Sequence, residues 1–216
     1  MAITLYGAIL SPFVARVALT CGYKGIAYDL TLPKDGIKSP AYLKLNPFGK
    51  IPCIKDGKTV LYESAVIVDY LDAKSKKKKL VPSAAKANGQ ARLIAAIAGD
   101  YVQAAGLKIF RALRAKSNDQ AAMDAAKADL QKGLDVLEYV ITGKKFAAGS
   151  SVTIADCFAV PALFFAVEVG KVVGLTDILA SRPKTKAYWA RMQKDKIAKG
   201  VLAGMGDRLK QMLAAG

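Results

Sequence analysis

Apolar positions change rhythm near residue 80. Before it, short runs mix the two-residue period of strands with the three-to-four-residue period of helices; after it only the helical period remains. Ile3 to Tyr6 reads as a short buried strand and Gly7 to Leu10 as a loop. Ser11-Pro12 is a helix start, with serine at the N-cap and proline where a missing N–H costs nothing. This helix carries Phe13, Val17 and Thr20-Cys21 on one face and stops at Gly25, and Ile26 to Leu32 is a second strand. A polar connection from Lys34-Asp35-Gly36 leads to Asn46-Pro47-Phe48-Gly49. Ile51 to Lys55 and Thr59 to Tyr62 then flank Asp56-Gly57, a strong hairpin signal. A helix from Ser64 to Lys74 follows, striped by Val66, Ile67, Tyr70 and Leu71. The order β-α-β, β-hairpin, α predicts a thioredoxin-like α/β domain over residues 1–80.

Lys76-Lys77-Lys78-Lys79 and Pro82-Ser83 read as an exposed connector. Helical patterns then occupy 86–115, 119–141, 153–169 and 184–195, with another near the C-terminus, so residues 81–216 are expected to form an all-α bundle. Gly149-Ser150-Ser151 breaks the series, and Thr153-x-x-Asp156 is a capping box with a structural role. No apolar run approaches the roughly 18 residues of a bilayer span, and Met1 to Leu5 lacks the features of a signal peptide. The expectation is a cytoplasmic protein without a membrane span.

There is no histidine, which removes histidine-based triads, histidine general bases and most transition-metal sites. Cys21, Cys53 and Cys157 are far apart, so neither a disulfide framework nor a zinc site is expected. No metal is predicted. The net charge of +16 invites a nucleic-acid reading. Yet the lysines are scattered, with little aromatic interleaving. They fit a solvated surface or an attraction for small anions better than a specific nucleic-acid partner.

Three places can carry chemistry. Proline cannot donate to a sheet ladder, so Ile51-Pro52 is either a turn or a cis bond that leaves Ile51 able to pair with an extended peptide. Glu63-Ser64 stands where the hairpin ends and a helix begins: a carboxylate site with an acidic neighbour for an ammonium group, or a simple cap. Ser11 is at another helix N-terminus, where its hydroxyl either caps the helix or donates to an anion.

Taken together, Ser11-Pro12-Phe13-Val14-x-Arg16-Val17, Ile37-Lys38-Ser39-Pro40-x-x-Leu43, Asn46-Pro47-Phe48-Gly49-Lys50-Ile51-Pro52 and Tyr62-Glu63-Ser64-x-x-Ile67 resemble the glutathione-binding domain of cytosolic glutathione transferases. Ser151 to Asp156 is similar to that family's C-terminal capping box, and the resemblance covers nearly the whole chain. It mixes tau-like features (Ser-Pro-Phe, Lys38-Ser39-Pro40) with the phi-like Asn-Pro-Phe-Gly, and no class is assigned.

The resemblance implies that Ile51 and Pro52 grip the cysteinyl part of glutathione. Glu63 and Ser64 hold the γ-glutamyl ammonium and carboxylate, and Lys38 and Lys50 meet the glycine carboxylate end. Ser11 matches the hydroxyl that faces the glutathione sulfur, with Tyr6 as the alternative because other classes use a tyrosine near the end of the first strand. No cysteine falls at this place, so an enzyme mixed disulfide is not expected. Leu10, Tyr101, Leu107 and Phe110, with Gln103 and Phe164 or Phe165, are candidates for lining an apolar electrophile pocket. Glutathione is thus the expected co-substrate and a small hydrophobic electrophile the second. Conjugation is the expected reaction, with peroxide reduction or ether cleavage also open to the same thiolate. The family implies a homodimer. The rival reading is a non-catalytic protein of the same fold that binds glutathione or an apolar ligand.

Overall fold

The computed structural model describes residues 2–77 and 79–214. The chain divides into one unit of Met1–Lys79 with Lys196–Gly216 and a second of Leu80–Asp195. The change of rhythm at residue 80 marks the break, while the C-terminal helix returns to the first unit.

In the first unit, strands β1 (Ile3–Tyr6), β2 (Tyr28–Thr31), β3 (Cys53–Asp56) and β4 (Thr59–Tyr62) form a sheet in the order β2-β1-β3-β4. β2 is parallel to β1, and the β1–β3 and β3–β4 pairs are antiparallel. Helices α1 (Pro12–Lys24), α2 (Pro40–Leu43) and α3 (Ser64–Lys74) complete the domain. The strand after α1 begins later than the sequence suggested because Gly25 takes a left-handed conformation and Ile26 N–H returns to Cys21 O at 2.9 Å. Ile26 is therefore used to close the helix, as in a Schellman cap. The four-residue α2, capped by Ser39, lies in what had read as a connection.

Ile3 and Leu5 of β1, Val14, Val17 and Cys21 of α1, Ile54 of β3, and Ile67 and Leu71 of α3 form the core. α1 also has a polar buried side that its apolar pattern concealed. Arg16, Thr20 and Lys24 recur every turn, and all three are buried. Arg16 Nη1 donates to Ser64 Oγ at 3.3 Å, and Lys24 Nζ donates to Asp72 Oδ1 at 2.8 Å. Both pairs are 48 residues apart in sequence, so two turns of α1 match two turns of α3 in parallel register. This polar seam fixes how the two helices slide and rotate against each other.

The lysine run is less idle than a connector. Lys24 Nζ also donates to Lys77 O at 3.1 Å, and Lys79 Nζ donates to Asp72 O and Ala73 O at 2.9 and 3.2 Å. A lysine placed there satisfies the last carbonyls of α3 and suits the negative end of its dipole. Lys78 lies outside the described residues. The C-terminal helix, Lys196–Ala214, packs on α1, where a Cβ on Gly22 would approach Ile197 Cγ2 to 2.4 Å.

The second unit holds α4 (Ala85–Ala96), a π-helical segment (Ile97–Gln103), α5 (Ala104–Arg114), α6 (Gln120–Val140), α7 (Ile154–Val172) and α8 (Pro183–Met192); the C-terminal helix is α9. Residues 85–114 make one continuous helix, long and apolar enough by composition to cross a membrane, which the sequence reading did not register. Its π-helical segment packs against α6 and α7, and half of its most apolar stretch is buried within the protein. It is the bundle's core helix. Gly133 of α6 allows the close approach: a Cβ there would sit 3.2 Å from Val102 N. Thr153 and Asp156 form the expected capping box. Asp156, fully buried, accepts from Thr153 N at 2.8 Å, Ala147 N at 2.9 Å and the Tyr188 hydroxyl at 3.1 Å, tying the loop before α7 to α8.

Candidate functional site

Sheet register assembles the site. Tyr6 is opposite Cys53, and Cys53 is opposite Tyr62. The loop leading to Ser11 leaves from Tyr6, Ile51-Pro52 runs into Cys53, and Glu63-Ser64 follows Tyr62. Three motifs separated by up to about 50 residues of chain therefore meet at one end of the sheet.

Ser11 is the N-cap residue of α1, yet its side chain makes no capping bond to the helix. Its backbone is fully used: the N–H donates to Ala8 O and the carbonyl accepts from Ala15 N, each at 2.9 Å. The half-buried hydroxyl is thus presented at the positive end of α1 without being spent on it. Tyr6 is placed differently. Strand alternation puts Ile3 and Leu5 toward α1 and α3 and turns Tyr6 to the opposite face, where its ring meets Tyr42 of α2 edge-on at 5.8 Å.

The Ile51–Pro52 bond is cis, as one of the two sequence readings had it. The β3 ladder starts only at Cys53, so Ile51 lies outside it. The turn before it is firmly held. The Tyr42 hydroxyl and Asn46 Nδ2 both donate to Lys50 O at 2.7 Å, and Asn46 Oδ1 accepts from Phe48 N at 3.1 Å. Gly49, at φ +57, is packed so that a Cβ would come within 2.7 Å of Ile37 O. Tyr42 was not singled out by sequence, and Asn46 was quoted in its motif without a role. Asn46 stands in a turn-forming Asn-Pro pair, a signal in plain sight, but Tyr42 had none.

Glu63 adopts φ +67 and ψ 110, outside the ordinary regions for a residue with a side chain. Such backbone strain, of order 1–3 kcal/mol, persists where the surroundings enforce it, and it collects at ligand sites. Glu63 is exposed, Ser64 is buried, and the Glu63 side chain makes no capping bond to α3. Two helix N-termini whose N-cap side chains make no capping bond therefore stand at one end of the sheet. Lys38 and Lys50 are exposed and flank Phe48: Lys38 Nζ donates to Phe48 O at 3.2 Å, and Lys50 Nζ lies 5.7 Å from the ring centroid.

Arg16 stood in the Ser11–Val17 motif without being given a role. It is 5% exposed, reaches Ser64 Oγ and stacks its guanidinium 5.0 Å from the Phe13 ring centroid. Besides that motif, its signal was a charge at helical spacing among apolar neighbours. The cysteines do not compete for the chemistry. All three are buried; burial pushes the Cys21 thiol up to about 12 and the Cys53 thiol up to about 11, which keeps both protonated.

The electrophile candidates divide. Leu10 is half-buried in the loop before Ser11. In the second unit Tyr101 is 59% exposed, Leu107 is at the edge of the core, and Phe110 meets Phe165 edge-on at 5.5 Å. Gln103, Phe164 and Phe165 are buried among the helices.

Comparison with known proteins agrees with this geometry. A family model described as "Glutathione S-transferase, N-terminal domain" matches residues 5–79, and one described as "Glutathione S-transferase, C-terminal domain" matches residues 101–195. Glutathione S-transferase 3 of Zea mays is 33% identical over 196 residues, covering 86% of each chain. Among solved structures, glutathione transferase F7 from Populus trichocarpa superposes with a TM-score of 0.80 at 26% identity, covering 94% of this chain and 99% of that one. A maize glutathione S-transferase I in complex with an atrazine glutathione conjugate also gives 0.80, at 27% identity, over 95% of this chain and 99% of that one.

Proposed function

The chain belongs to the glutathione S-transferase family, and from that premise we propose that it binds glutathione at this end of the sheet, holds its sulfur as a thiolate and transfers it to a hydrophobic electrophile. The observation that carries the reading is the pair of helix N-termini whose N-cap side chains make no capping bond. α1 presents the uncommitted Ser11 hydroxyl, and α3 presents its first N–H groups with Ser64. Two such N-termini suit a ligand with two anionic groups.

Each residue then has a task. Ser64 and the first N–H groups of α3 donate to the γ-glutamyl carboxylate, and Glu63 accepts from the ammonium. The Ile51 backbone pairs with the cysteinyl residue beside Pro52 as a short added strand. Lys38 and Lys50 attract the glycine carboxylate. Ser11 donates to the sulfur; Tyr6, turned to the α2 face, packs against Tyr42.

The energetics are within reach. A free thiol titrates near about 8.5, and lowering that by about 2 units requires about 2.7 kcal/mol of preference for the thiolate. Hydrogen bonds to charged groups contribute roughly 1.5–3 kcal/mol, and the helix dipole adds to this. No metal enters the scheme. The thiolate's lone pair forms the new carbon–sulfur bond as the electrophile's leaving group departs with its electron pair. Tyr101, an exposed aromatic of the second unit, is the residue proposed to meet the apolar co-substrate. Family membership supports a cytoplasmic homodimer.

Turnover of glutathione with a panel of aryl halides, peroxides and epoxides tests the proposal. Wild type is expected to turn over at least one class, and Ser11→Ala to lose about a hundredfold in rate, as loss of one such donor does. Glutathione binding without turnover of any panel member would leave the binding-protein reading in its place.

A further inference from the structure

We infer that the site prefers γ-glutamyl-cysteinyl thiols whose third residue carries a side-chain carboxylate over glutathione itself, whose third residue is glycine; the inference rests on the glutathione reading above. Glutathione brings one carboxylate to the turn before Ile51, and the turn offers it two ammonium groups. Lys38 Nζ donates to Phe48 O at 3.2 Å and lies so close to Gly49 that a Cβ there would meet it at 3.0 Å. Lys50 Nζ is 5.7 Å from the centre of the Phe48 ring. Both cations therefore gather on two consecutive residues, Phe48 and Gly49.

Neither charge is cancelled. A carbonyl and a ring face carry no net charge, and among the described residues no carboxylate pairs with Lys38 or Lys50. The wider segment repeats the imbalance: residues 34–50 hold Lys34, Lys38, Lys44 and Lys50 against Asp35 alone, and all of these are exposed. The turn is held in place, because Tyr42 and Asn46 both donate to Lys50 O at 2.7 Å and Gly49 has no room for a side chain beside Ile37 O. Two like charges kept together on a fixed turn repel each other, so an added carboxylate gains both by pairing and by relieving that repulsion. A glycine carboxylate serves one ammonium group; an acidic third residue gives each a partner.

The test measures Kd by titration calorimetry, which needs no electrophile, for three thiols: glutathione, γ-glutamyl-cysteinyl-aspartate and γ-glutamyl-cysteinyl-asparagine. The asparagine peptide has the shape of the aspartate peptide without its charge, so the ratio of the two isolates the second carboxylate. At low ionic strength wild type should bind the aspartate peptide about three- to fivefold more tightly than the asparagine peptide, the size of one exposed ion pair. Glutathione should bind more weakly than the aspartate peptide. The advantage should shrink as salt is raised, because exposed charges are screened. Lys38→Met and Lys50→Met should each reduce it, and the double variant should bind the aspartate and asparagine peptides equally. If the double variant does not fold, the two single variants carry the same comparison. Equal Kd values for the two peptides in wild type, or an advantage that survives removal of both lysines, would overturn the inference and leave the glutathione reading standing. Failure of glutathione and both peptides to bind would overturn that reading and the inference with it.

Discussion

Replacing Lys24 by methionine removes an ammonium that is wholly shielded from solvent while keeping a side chain of similar length. Its Nζ lies 2.8 Å from Asp72 Oδ1, with side-chain exposures of 0% and 5%, and 3.1 Å from Lys77 O. The carbonyl belongs to an exposed residue and can take water instead. The Asp72 carboxylate cannot do so as easily. Breaking one side of a buried pair typically costs about 3–5 kcal/mol, because the surviving charge keeps its desolvation penalty. Against a total stability of roughly 5–15 kcal/mol, that is a large fraction. Urea unfolding followed by circular dichroism is the assay. With a slope of about 2–3 kcal/mol per molar, the midpoint should fall by roughly 1–2 M. The double variant Lys24→Met/Asp72→Leu replaces both charges by apolar groups and should recover most of the loss. A single variant that loses less than about 1 kcal/mol, or a double variant no more stable than the single, would refute the reasoning.

Three further outcomes follow from particular contacts. Gly49→Ala meets a carbonyl at 2.7 Å in a left-handed backbone and should cost about 2 kcal/mol or more, with a raised KM for glutathione because Lys50 and Ile51 follow directly; thermal melts and initial rates read both. Asp156→Ala takes the acceptor from Thr153 N–H, Ala147 N–H and the Tyr188 hydroxyl, and should cost roughly 3–5 kcal/mol in urea titrations of refolded protein. Hydrogen bonds from Lys74 and Tyr70 hold the Asp56 carboxyl below the usual range. A folded pKa below the unfolded one means that this stabilisation is present above the unfolded carboxylate pKa and is lost as pH falls through the folded value. The stability advantage of wild type over Asp56→Asn should therefore shrink on acidification; an advantage that grew would reverse the sign assigned here.

Much of the fold could be read from the chain because its signals are local. Ser11-Pro12, Gly25, Asp56-Gly57 and Thr153-x-x-Asp156 each mark a start, stop or turn with a residue type that the backbone geometry demands, and each is found in that role. The polar seam of Arg16, Thr20 and Lys24 was not legible. Its meaning depends on Ser64 and Asp72, residues that reach it only through packing. For the same reason α9 could be anticipated as a helix but not assigned to α1. The candidate site was partly legible. Ser11, Ile51-Pro52 and Glu63-Ser64 each allowed a bland alternative on local grounds. Sheet register brings these places to one end of the sheet, and neither the Ser11 nor the Glu63 side chain makes a capping bond, which favours the ligand readings. Ser11 was favoured over Tyr6 through the resemblance; the alternation of β1 turns Tyr6 toward Tyr42 of α2.

The central claim is that the Ser11 hydroxyl at the mouth of α1 stabilises a sulfur anion. Ultraviolet absorbance of the thiolate, titrated with glutathione bound to wild type and to Ser11→Ala, measures that directly. The account expects the bound thiol to titrate about 2 units below the free value of about 8.5 in wild type, and to return most of the way in the variant. Identical titrations in the two proteins, with glutathione demonstrably bound to both, would contradict it.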